Sequence, residues 1–501
     1  MYAMLSIDIG TTSTKVILYN GNGQVAASAN NGYPLYQTTP GMAEENPADI
    51  YQAVLTGIQT VITACPDLSV GGLSFSAAMH SLILLDDTYQ PLTRMYTWAD
   101  NRAKQAAAAF RARPDAHDLY VRTGTPLQPM TPLAKICWLQ QTQPALIQAT
   151  RWFADIKSYV LYRLTGQFVL DYSLANATGL FNLHELNWDP LALKIARITT
   201  DQLPQLVDTT TVLTGLRPEL ATKWQLDPQT PIVVGASDGC LSNLGLNALQ
   251  PGVAALTIGT SGAVRVVTDQ PQLDAHGRLF CYYLAPDRWV VGGPVNNGGN
   301  VLAWVRDQLF TPERDHYGKQ TLAYLSDLIA QVPAGSHGLL MHPYLNGERA
   351  PLWDANARGA YFGLTAQHTR ADMARAALEG VTFNLYHVAQ LVQQLTGPFV
   401  SLQATGGFAN SAPWRQLLTD IFDMPVTIPT NFESTCLGAA LLGWQRLGDV
   451  TDLTASAEFV GPETTLQPDP TTAATYQKLA PLYTELARTY QPLFQQLAEF
   501  H

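Results

Sequence analysis

The sequence predicts an α/β protein built as two related lobes, and three observations carry that expectation. First, two short glycine motifs lie about half a chain apart. They are Ile7-Asp8-Ile9-Gly10-Thr11-Thr12-Ser13-Thr14-Lys15 and Leu256-Thr257-Ile258-Gly259-Thr260-Ser261-Gly262. Second, each has an apolar run before it and an apolar or alternating run after it, Val16-Ile17-Leu18-Tyr19 and Ala263-Val264-Arg265-Val266-Val267. That is the pattern of a β-hairpin closed by Gly, Thr and Ser. Third, both hairpins are followed by short apolar strands mixed with helical periodicities. At 501 residues, length alone suggests about three domains of ~150 residues. The duplication argues instead for two large lobes. Leu249-Gln250-Pro251-Gly252 offers a turn between them, so residues 1–248 form the N-terminal lobe and 249–501 the C-terminal lobe.

The elements follow in order. Residues 3–9, 15–19 and 24–29 read as a meander with Gly21-Asn22-Gly23 as its second turn. Asn46-Pro47 with Asp49 starts a helix reaching about residue 64. Strands are expected at 72–76 and 81–85, helices at 102–110, 133–140 and 157–164, and a buried strand at 231–235 that ends in Ala236-Ser237-Asp238-Gly239. In the second lobe, strands are expected at 254–258, 264–268, 280–284 and 289–292, with Pro286-Asp287 as a turn. A long amphipathic helix covers 371–395, with Thr369 and Asp372 at capping-box spacing. Strands at 400–404 and 426–428 and a helix at 433–445 follow. Tyr476, Tyr483 and Tyr490, with Leu479, Leu486 and Leu493, form a helical stripe whose expected role is packing.

Composition removes several classes of function. The chain is 47% hydrophobic and 14% charged, with a net charge of −11. An acidic balance disfavours nucleic acid and anionic membrane surfaces as partners. No apolar run approaches the ~18 residues of a membrane span. Met1-Tyr2-Ala3-Met4-Leu5 lacks the basic region of a signal peptide. The five cysteines, Cys65, Cys137, Cys240, Cys281 and Cys436, are odd in number and scattered without a CxxC pair. That excludes a disulfide framework and a zinc site and points to the cytoplasm.

The chemistry lies in the turns. A Gly-Thr-Thr or Gly-Thr-Ser turn offers backbone N–H groups and hydroxyls to phosphate oxygens. The two copies differ at one position, where Asp8 becomes Thr257. A carboxylate beside a phosphate repels it unless a cation lies between them, so Asp8 points to Mg²⁺. The sequence has no GxxxxGK[ST] and no GxGxxG, which argues against a P-loop and a dinucleotide fold. With the Gly-Gly turn of Thr405-Gly406-Gly407-Phe408-Ala409-Asn410, the glycine turns instead resemble the phosphate-1, phosphate-2 and adenosine loops of the superfamily that joins sugar kinases, actin and the heat-shock chaperone ATPases. That resemblance implies two RNase-H-like lobes with a deep central cleft.

Further motifs narrow the resemblance. Met130-Thr131-Pro132-Leu133-Ala134-Lys135-Ile136-Cys137-Trp138-Leu139 is similar to the first signature of the FGGY carbohydrate kinases. The stretch from Gly359-Ala360-Tyr361-Phe362-Gly363-Leu364 to Ala376-Ala377-Leu378-Glu379 resembles the second, and His342-Pro343-Tyr344-Leu345-Asn346-Gly347-Glu348-Arg349-Ala350-Pro351 also resembles the family. The resemblance implies ATP-dependent phosphorylation with Asp238 as the catalytic base and Asp8 facing Mg²⁺. It places Thr11, Thr12, Lys15, Gly259, Thr260 and Gly299 near the phosphates, and Gly406, Gly407 and Asn410 near the adenosine. It places Met79, His80, Trp98 and Asp100, with Asp238, on the acceptor side, and it allows a homodimer. Xylulose kinases typically read Gln-Met-His-Gly where this chain has Ala78-Met79-His80-Ser81. That block and Thr97-Trp98-Ala99-Asp100-Asn101-Arg102 resemble the gluconate kinases of the family, so the expected acceptor is D-gluconate. Arg102, Lys135 and Arg349 are the candidate cations for its carboxylate. A xylulose kinase, or in another class a nucleotide-gated regulatory module, is the alternative.

Overall fold

The computed structural model describes residues 2–430, 433–461 and 463–500. Met1 and His501, the outer limits of the two expected lobes, lie outside the described residues. The elements that carry the argument are, in chain order, strands β1 (Ala3–Ile9), β2 (Ser13–Tyr19) and β3 (Val25–Gly32), helix α1 (Pro47–Ala64), strand β4 (Val70–Ala77), and helices α2 (Pro132–Thr142), α3 (Ile156–Thr165) and α4 (Tyr172–Ala177). Strand β5 (Ile232–Ser237) and helix α5 (Asp238–Gly245) come next, then strands β6 (Val253–Ile258), β7 (Gly262–Thr268) and β8 (Arg288–Val295). Helix α6 (Arg370–Thr396), strands β9 (Ser401–Thr405) and β10 (Val426–Pro429), helix α7 (Ser434–Leu447), strand β11 (Glu463–Leu466) and helix α8 (Pro470–Tyr490) complete the set.

The chain divides into two compact units. One takes the chain to Leu249 and adds Val267–Val290 and Glu433–Gly461; the other holds Gln250–Val266 and the stretches 291–430 and 463–500. The first crossing lies one residue from the boundary expected at 248/249. Two later segments nevertheless count with the first unit. The physical reason is plain for one of them, since α7 packs against β1, β4 and α5.

In the first unit a mixed sheet is ordered β5–β4–β1–β2–β3, with the short strand Val212–Leu213 outside β5. β1 runs antiparallel to β2 and parallel to β4, and β4 runs parallel to β5. β1 and β5 are almost wholly buried, as central strands covered on both faces must be. β3, at the edge, alternates in exposure. Helix α1 begins as its sequence predicts: the Asn46 side chain accepts the Ala48 N–H, and Pro47 occupies the first turn. Its stripe of Ile50, Ala53, Val54, Gly57, Ile58 and Val61 is buried and packs on β2 and β3. Helices α5 and α7 cross at two glycines. A Cβ on Gly245 would stand 1.8 Å from Ser434 O, and one on Gly438 2.1 Å from Leu241 O, so only glycine permits this approach.

In the second unit, neighbouring strands follow in the order β8–β7–β6–β9–β10–β11. β6 pairs antiparallel with β7 and parallel with β9, which repeats the β2–β1–β4 arrangement. Helix α6 carries the expected capping box, Thr369 and Asp372 each bonding the other's backbone N–H. On α8, Tyr476 and Tyr483 are buried, and Tyr490, though 39% exposed, packs its ring 4.7 Å from that of Phe362, so all three tyrosines of the stripe pack.

Candidate active site

In the first unit three neighbouring parallel strands end together. β1 leads into Gly10-Thr11-Thr12, β4 into Ala78-Met79-His80, and β5 into Asp238. Asp8 pairs with Ser76 and Ile9 with Ala77 across one ladder; Ala236 pairs with Ser76 and Ser237 with Ala77 across the other. Open α/β sheets collect ligands at the carboxyl ends of such strands.

The Gly10 turn is held by its backbone: Gly10 N–H donates to Ser13 O at 3.1 Å and Tyr33 N–H to Thr12 O at 3.1 Å. The Tyr33 hydroxyl donates to Gly10 O, and the Trp98 indole N–H donates to Thr11 Oγ1 at 2.7 Å. That last bond joins a residue expected near phosphate to one expected near the acceptor. Asp8 Oδ1 is buried without a hydrogen-bond partner. Burial first, and then the charge of Asp238, push the Asp8 carboxyl up to about 7. Lys15 Nζ meets both oxygens of Glu433, at 2.8 and 2.7 Å. The lysine expected at the phosphates is therefore paired with a carboxylate in this structure.

Asp238 opens helix α5, and its Oδ1 accepts the Gly239 N–H at 2.7 Å. A helix N-terminus favours the ionised carboxylate. The segment before it is braced from α4. Ser173 Oγ donates to Ser237 Oγ at 3.0 Å and accepts the Ser237 N–H at 3.2 Å. Beneath these, Lys157 and Asp171 form an ion pair at 2.7 Å with neither side chain exposed. Lys157 Nζ also donates to Ala236 O at 3.1 Å.

The other end of α4 holds His80. Its backbone is left-handed, with φ 65°, and its Nδ1 lies 2.6 Å from Ala177 O. A carbonyl can only accept, so Nδ1 carries a proton, and Nε2 is an acceptor whenever the ring is neutral. Met79 is partly buried against two apolar clusters of this unit.

Two acceptor-side expectations change in detail. Asp100 is wholly buried and committed: its oxygens accept the Ala43 N–H at 3.0 Å, the Arg102 N–H at 3.2 Å and the Arg102 guanidinium at 2.6 to 3.1 Å. It holds the turn that carries Trp98. Arg102, which also bonds Glu44 Oε1, is occupied by these partners. Lys135 is fully buried, and its ammonium donates to His80 O and Thr97 O, both at 2.7 Å. It faces backbone carbonyls, and burial draws its pKa down to about 7. Sequence reasoning missed Lys157, Asp171 and Ser173; the available signal was a lysine in the first turn of the helix Ile156–Thr165, on the same stretch as the buried Ile156, Tyr159, Val160 and Leu161.

The second unit repeats the geometry without the carboxylates. β6 and β9 run parallel, with Thr257 opposite Thr405, and lead into Gly259-Thr260 and Gly406-Gly407. Gly406 has φ 113°, and a Cβ there would meet Ile258 O at 2.3 Å. Asn410 is exposed at the end of that turn, its Nδ2 donating to Gly407 O at 3.3 Å. After β8, Gly299 N–H donates to Gly259 O at 2.7 Å, and the Gly298 and Asn300 N–H groups to Thr260 O at 3.2 Å. Arg349 Nη2 donates to Val295 O at 2.7 Å.

The N-terminal domain of the FGGY family of carbohydrate kinases matches residues 3–245, and the C-terminal domain of the same family matches residues 254–445. The chain belongs to the FGGY family of carbohydrate kinases. Its fold is the two-domain, mixed α/β fold of that family. A gluconokinase of Bacillus subtilis (strain 168) is 45% identical over 99% of this chain and 98% of its own. A xylulose kinase of the same organism is 29% identical, with 96% of each chain covered. Among solved structures, a gluconate kinase from Lactobacillus acidophilus superposes with a TM-score of 0.94 at 40% identity, covering 99% of both chains. A structure described as a ligand-bound xylulose kinase from the same species also gives 0.94 and 40%, over 99% and 100% of the two chains. Neither backbone likeness nor identity separates these two structures; the two Bacillus subtilis relatives do differ, at 45% for the gluconokinase against 29% for the xylulose kinase.

Proposed function

We propose that the kinase transfers the γ-phosphoryl group of ATP to the terminal hydroxyl of D-gluconate, forming 6-phospho-D-gluconate. The observation that carries the reading is the 45% identity to a gluconokinase along almost the whole chain, against 29% to a xylulose kinase. The Ala78-Met79-His80-Ser81 block agrees with it.

Phosphoryl transfer depends mainly on positioning and charge stabilisation. In this reading Asp238 receives the proton of the acceptor hydroxyl as its oxygen bonds to phosphorus. The Gly239 N–H and the brace at Ser237 keep the carboxylate aimed. His80 offers Nε2 to an acceptor hydroxyl, and Trp98 offers an aromatic face to C–H groups of the substrate. Thr11 and Thr12 in the first unit and Thr260 in the second offer hydroxyls to phosphate oxygens, while Gly259 and Gly299, whose N–H groups bond Ser261 O and Gly259 O, shape the turn beside Thr260. Gly406, Gly407 and Asn410 receive the adenosine. Lys15 reaches phosphate by leaving Glu433.

The buried, partnerless Oδ1 of Asp8 fits a cation. Mg²⁺ characteristically takes one or two carboxylates and completes its shell with phosphates and water, and when bound it neutralises charge on the β,γ-phosphates. With Lys135 and Arg102 already paired, neither is free to read the gluconate carboxylate. All five cysteines are free thiols, which suits the cytoplasm, where we place the enzyme.

A coupled ADP-release assay over gluconate, xylulose, ribulose and glycerol tests the reading. Gluconate should give the highest kcat/KM. Equal or better turnover of xylulose would reassign the acceptor, and slow ADP release indifferent to any polyol would support a gated regulatory module.

A further inference from the structure

Glu348 lies in the second unit and is 2% exposed. Four donors fill its carboxylate. Oε1 accepts the Asn296 N–H at 2.5 Å and the Arg349 N–H at 2.8 Å. Oε2 accepts the Asn297 and Asn384 side-chain amides, each at 2.9 Å. A carboxylate has about four acceptor positions, and the N–H groups that fill them oppose the burial that pushes this carboxyl up to about 7. Asn384 belongs to α6, whereas Asn296 and Asn297 follow β8 directly. The carboxylate thus ties a long helix to the start of the loop that carries Gly298 and Gly299.

Asn297 is fixed on its remaining sides. Its Nδ2 also donates to Gly347 O at 2.8 Å, and its Oδ1 accepts the Asn346 N–H at 3.3 Å. The loop beyond it has little freedom. Besides the bonds to Gly259 O and Thr260 O described above, a Cβ on Gly298 would stand 2.6 Å from Ser261 O, and one on Gly299 2.8 Å from Gly259 O. Where Asn297 sits sets where Gly298 and Gly299 sit, and they in turn seat the Gly259-Thr260 turn.

We propose that Glu348 is a positioning residue for the nucleotide: through Asn296 and Asn297 its carboxylate holds the Gly298-Gly299 loop against the Gly259-Thr260 turn, so that affinity for ATP, and not for the sugar acid, depends on it. The inference rests on the reading of these turns as the nucleotide side. Glu348→Gln keeps the volume but turns one acceptor oxygen into a donor. Whichever way the amide faces, two of the four N–H groups lose their acceptor.

The test compares wild type, Glu348→Gln and Asn297→Ser by calorimetric titration with a non-hydrolysable ATP analogue and, separately, with gluconate, alongside melting curves. Both variants should bind the analogue at least 10-fold more weakly and gluconate within twofold of wild type. A folded variant with unchanged analogue affinity would overturn the proposal, as would equal weakening toward both ligands, which marks a general structural role. Should Glu348→Gln fail to fold, Asn297→Ser, which leaves the carboxylate three of its donors, decides alone. Should wild type bind the analogue but fail to phosphorylate gluconate, the acceptor reading fails while the Glu348 comparison still stands.

Discussion

Lys157→Met leaves Asp171 as a buried carboxylate without its counter-ion. In the native structure the two charges meet at 2.7 Å with no exposure on either side chain. Removing one member of such a pair costs about 3–5 kcal/mol, because the remaining charge stays desolvated. Ala236 O loses its Lys157 donor in the same variant. Asp171 has a second duty: its Oδ1 caps helix α4 by accepting the Leu174 N–H at 3.0 Å. Asp171→Asn preserves that cap while removing the charge, since asparagine caps as well as aspartate does. The double variant Lys157→Met/Asp171→Asn should therefore recover most of the loss, leaving a residual of ~1–3 kcal/mol for an incompletely paired buried amide. Urea unfolding of the four proteins of this cycle gives the coupling directly. Activity should follow stability in one respect only. Ala236 stands two residues before Asp238, and Ser173 on α4 braces Ser237, so kcat should fall while the KM for ATP stays near wild type. A single variant within 1 kcal/mol of wild type would refute the reasoning. So would a double variant no more stable than the single one.

Asp238→Asn should lower kcat by ~10²–10⁴-fold, the usual weight of a general base, with melting temperature and gluconate affinity nearly unchanged; retention of half the wild-type kcat would remove Asp238 from that role. Lys135→Met should raise the KM for gluconate roughly 10-fold and leave that for ATP alone, because two buried hydrogen bonds, each on the order of 1 kcal/mol, tie the His80 and Thr97 carbonyls; an unchanged gluconate KM in a folded variant would contradict this. Glu45 is fully buried with neither oxygen hydrogen-bonded, and burial raises its carboxyl from 4.5 to about 8. Between those values the folded protein holds a proton that the unfolded chain has released, so stability should fall as pH rises through that window, by on the order of 1 kcal/mol per unit. Glu45→Gln should flatten that slope, and melting curves at pH 6 and 8.5 that lose as much in the variant as in wild type would count against it.

Much of the fold is legible in the sequence because its signals are local. A hairpin turn must be made of small residues that accept unusual backbone angles, a capping box needs two residues three apart, and a strand covered on both faces must be apolar throughout. Errors of one to three residues at strand ends arise because ladders extend past the apolar run into polar residues such as Ser13 and Asn31. What the sequence conceals is long-range. Nothing in Leu133-Ala134-Lys135-Ile136 says that the ammonium will meet two carbonyls 55 and 38 residues earlier. Asp100 and Arg102 are expected to face the acceptor, and nothing in their spacing says that the carboxylate will be wholly buried and bonded to the guanidinium. The return of residues 433–461 to the first unit is likewise invisible until Gly245 and Gly438 are seen to let two helices touch.

The two units share one strand arrangement and differ in what their strand ends carry. Both units place a glycine turn at the end of one strand and a second turn at the end of its parallel neighbour. In the first unit the positions around these ends carry Asp8, His80 and Asp238, and buried lysines brace the backbone behind them. In the second, Thr257 replaces Asp8, and the ends carry Gly259, Gly406 and Gly407, with their backbone groups uncovered by side chains. Backbone N–H groups bind phosphate without accepting protons, whereas carboxylates and imidazole hold cations and move protons. In the proposed reading, the change from Asp8 to Thr257 separates a unit with carboxylates at its strand ends from one that offers backbone groups and hydroxyls there. Installing an aspartate by Thr257→Asp should accordingly weaken nucleotide binding, by placing a charge beside a turn that has only N–H groups and hydroxyls to offer. Calorimetric titration with the ATP analogue checks this, and unchanged affinity in the folded variant would show that the turn at Gly259 is not a phosphate site.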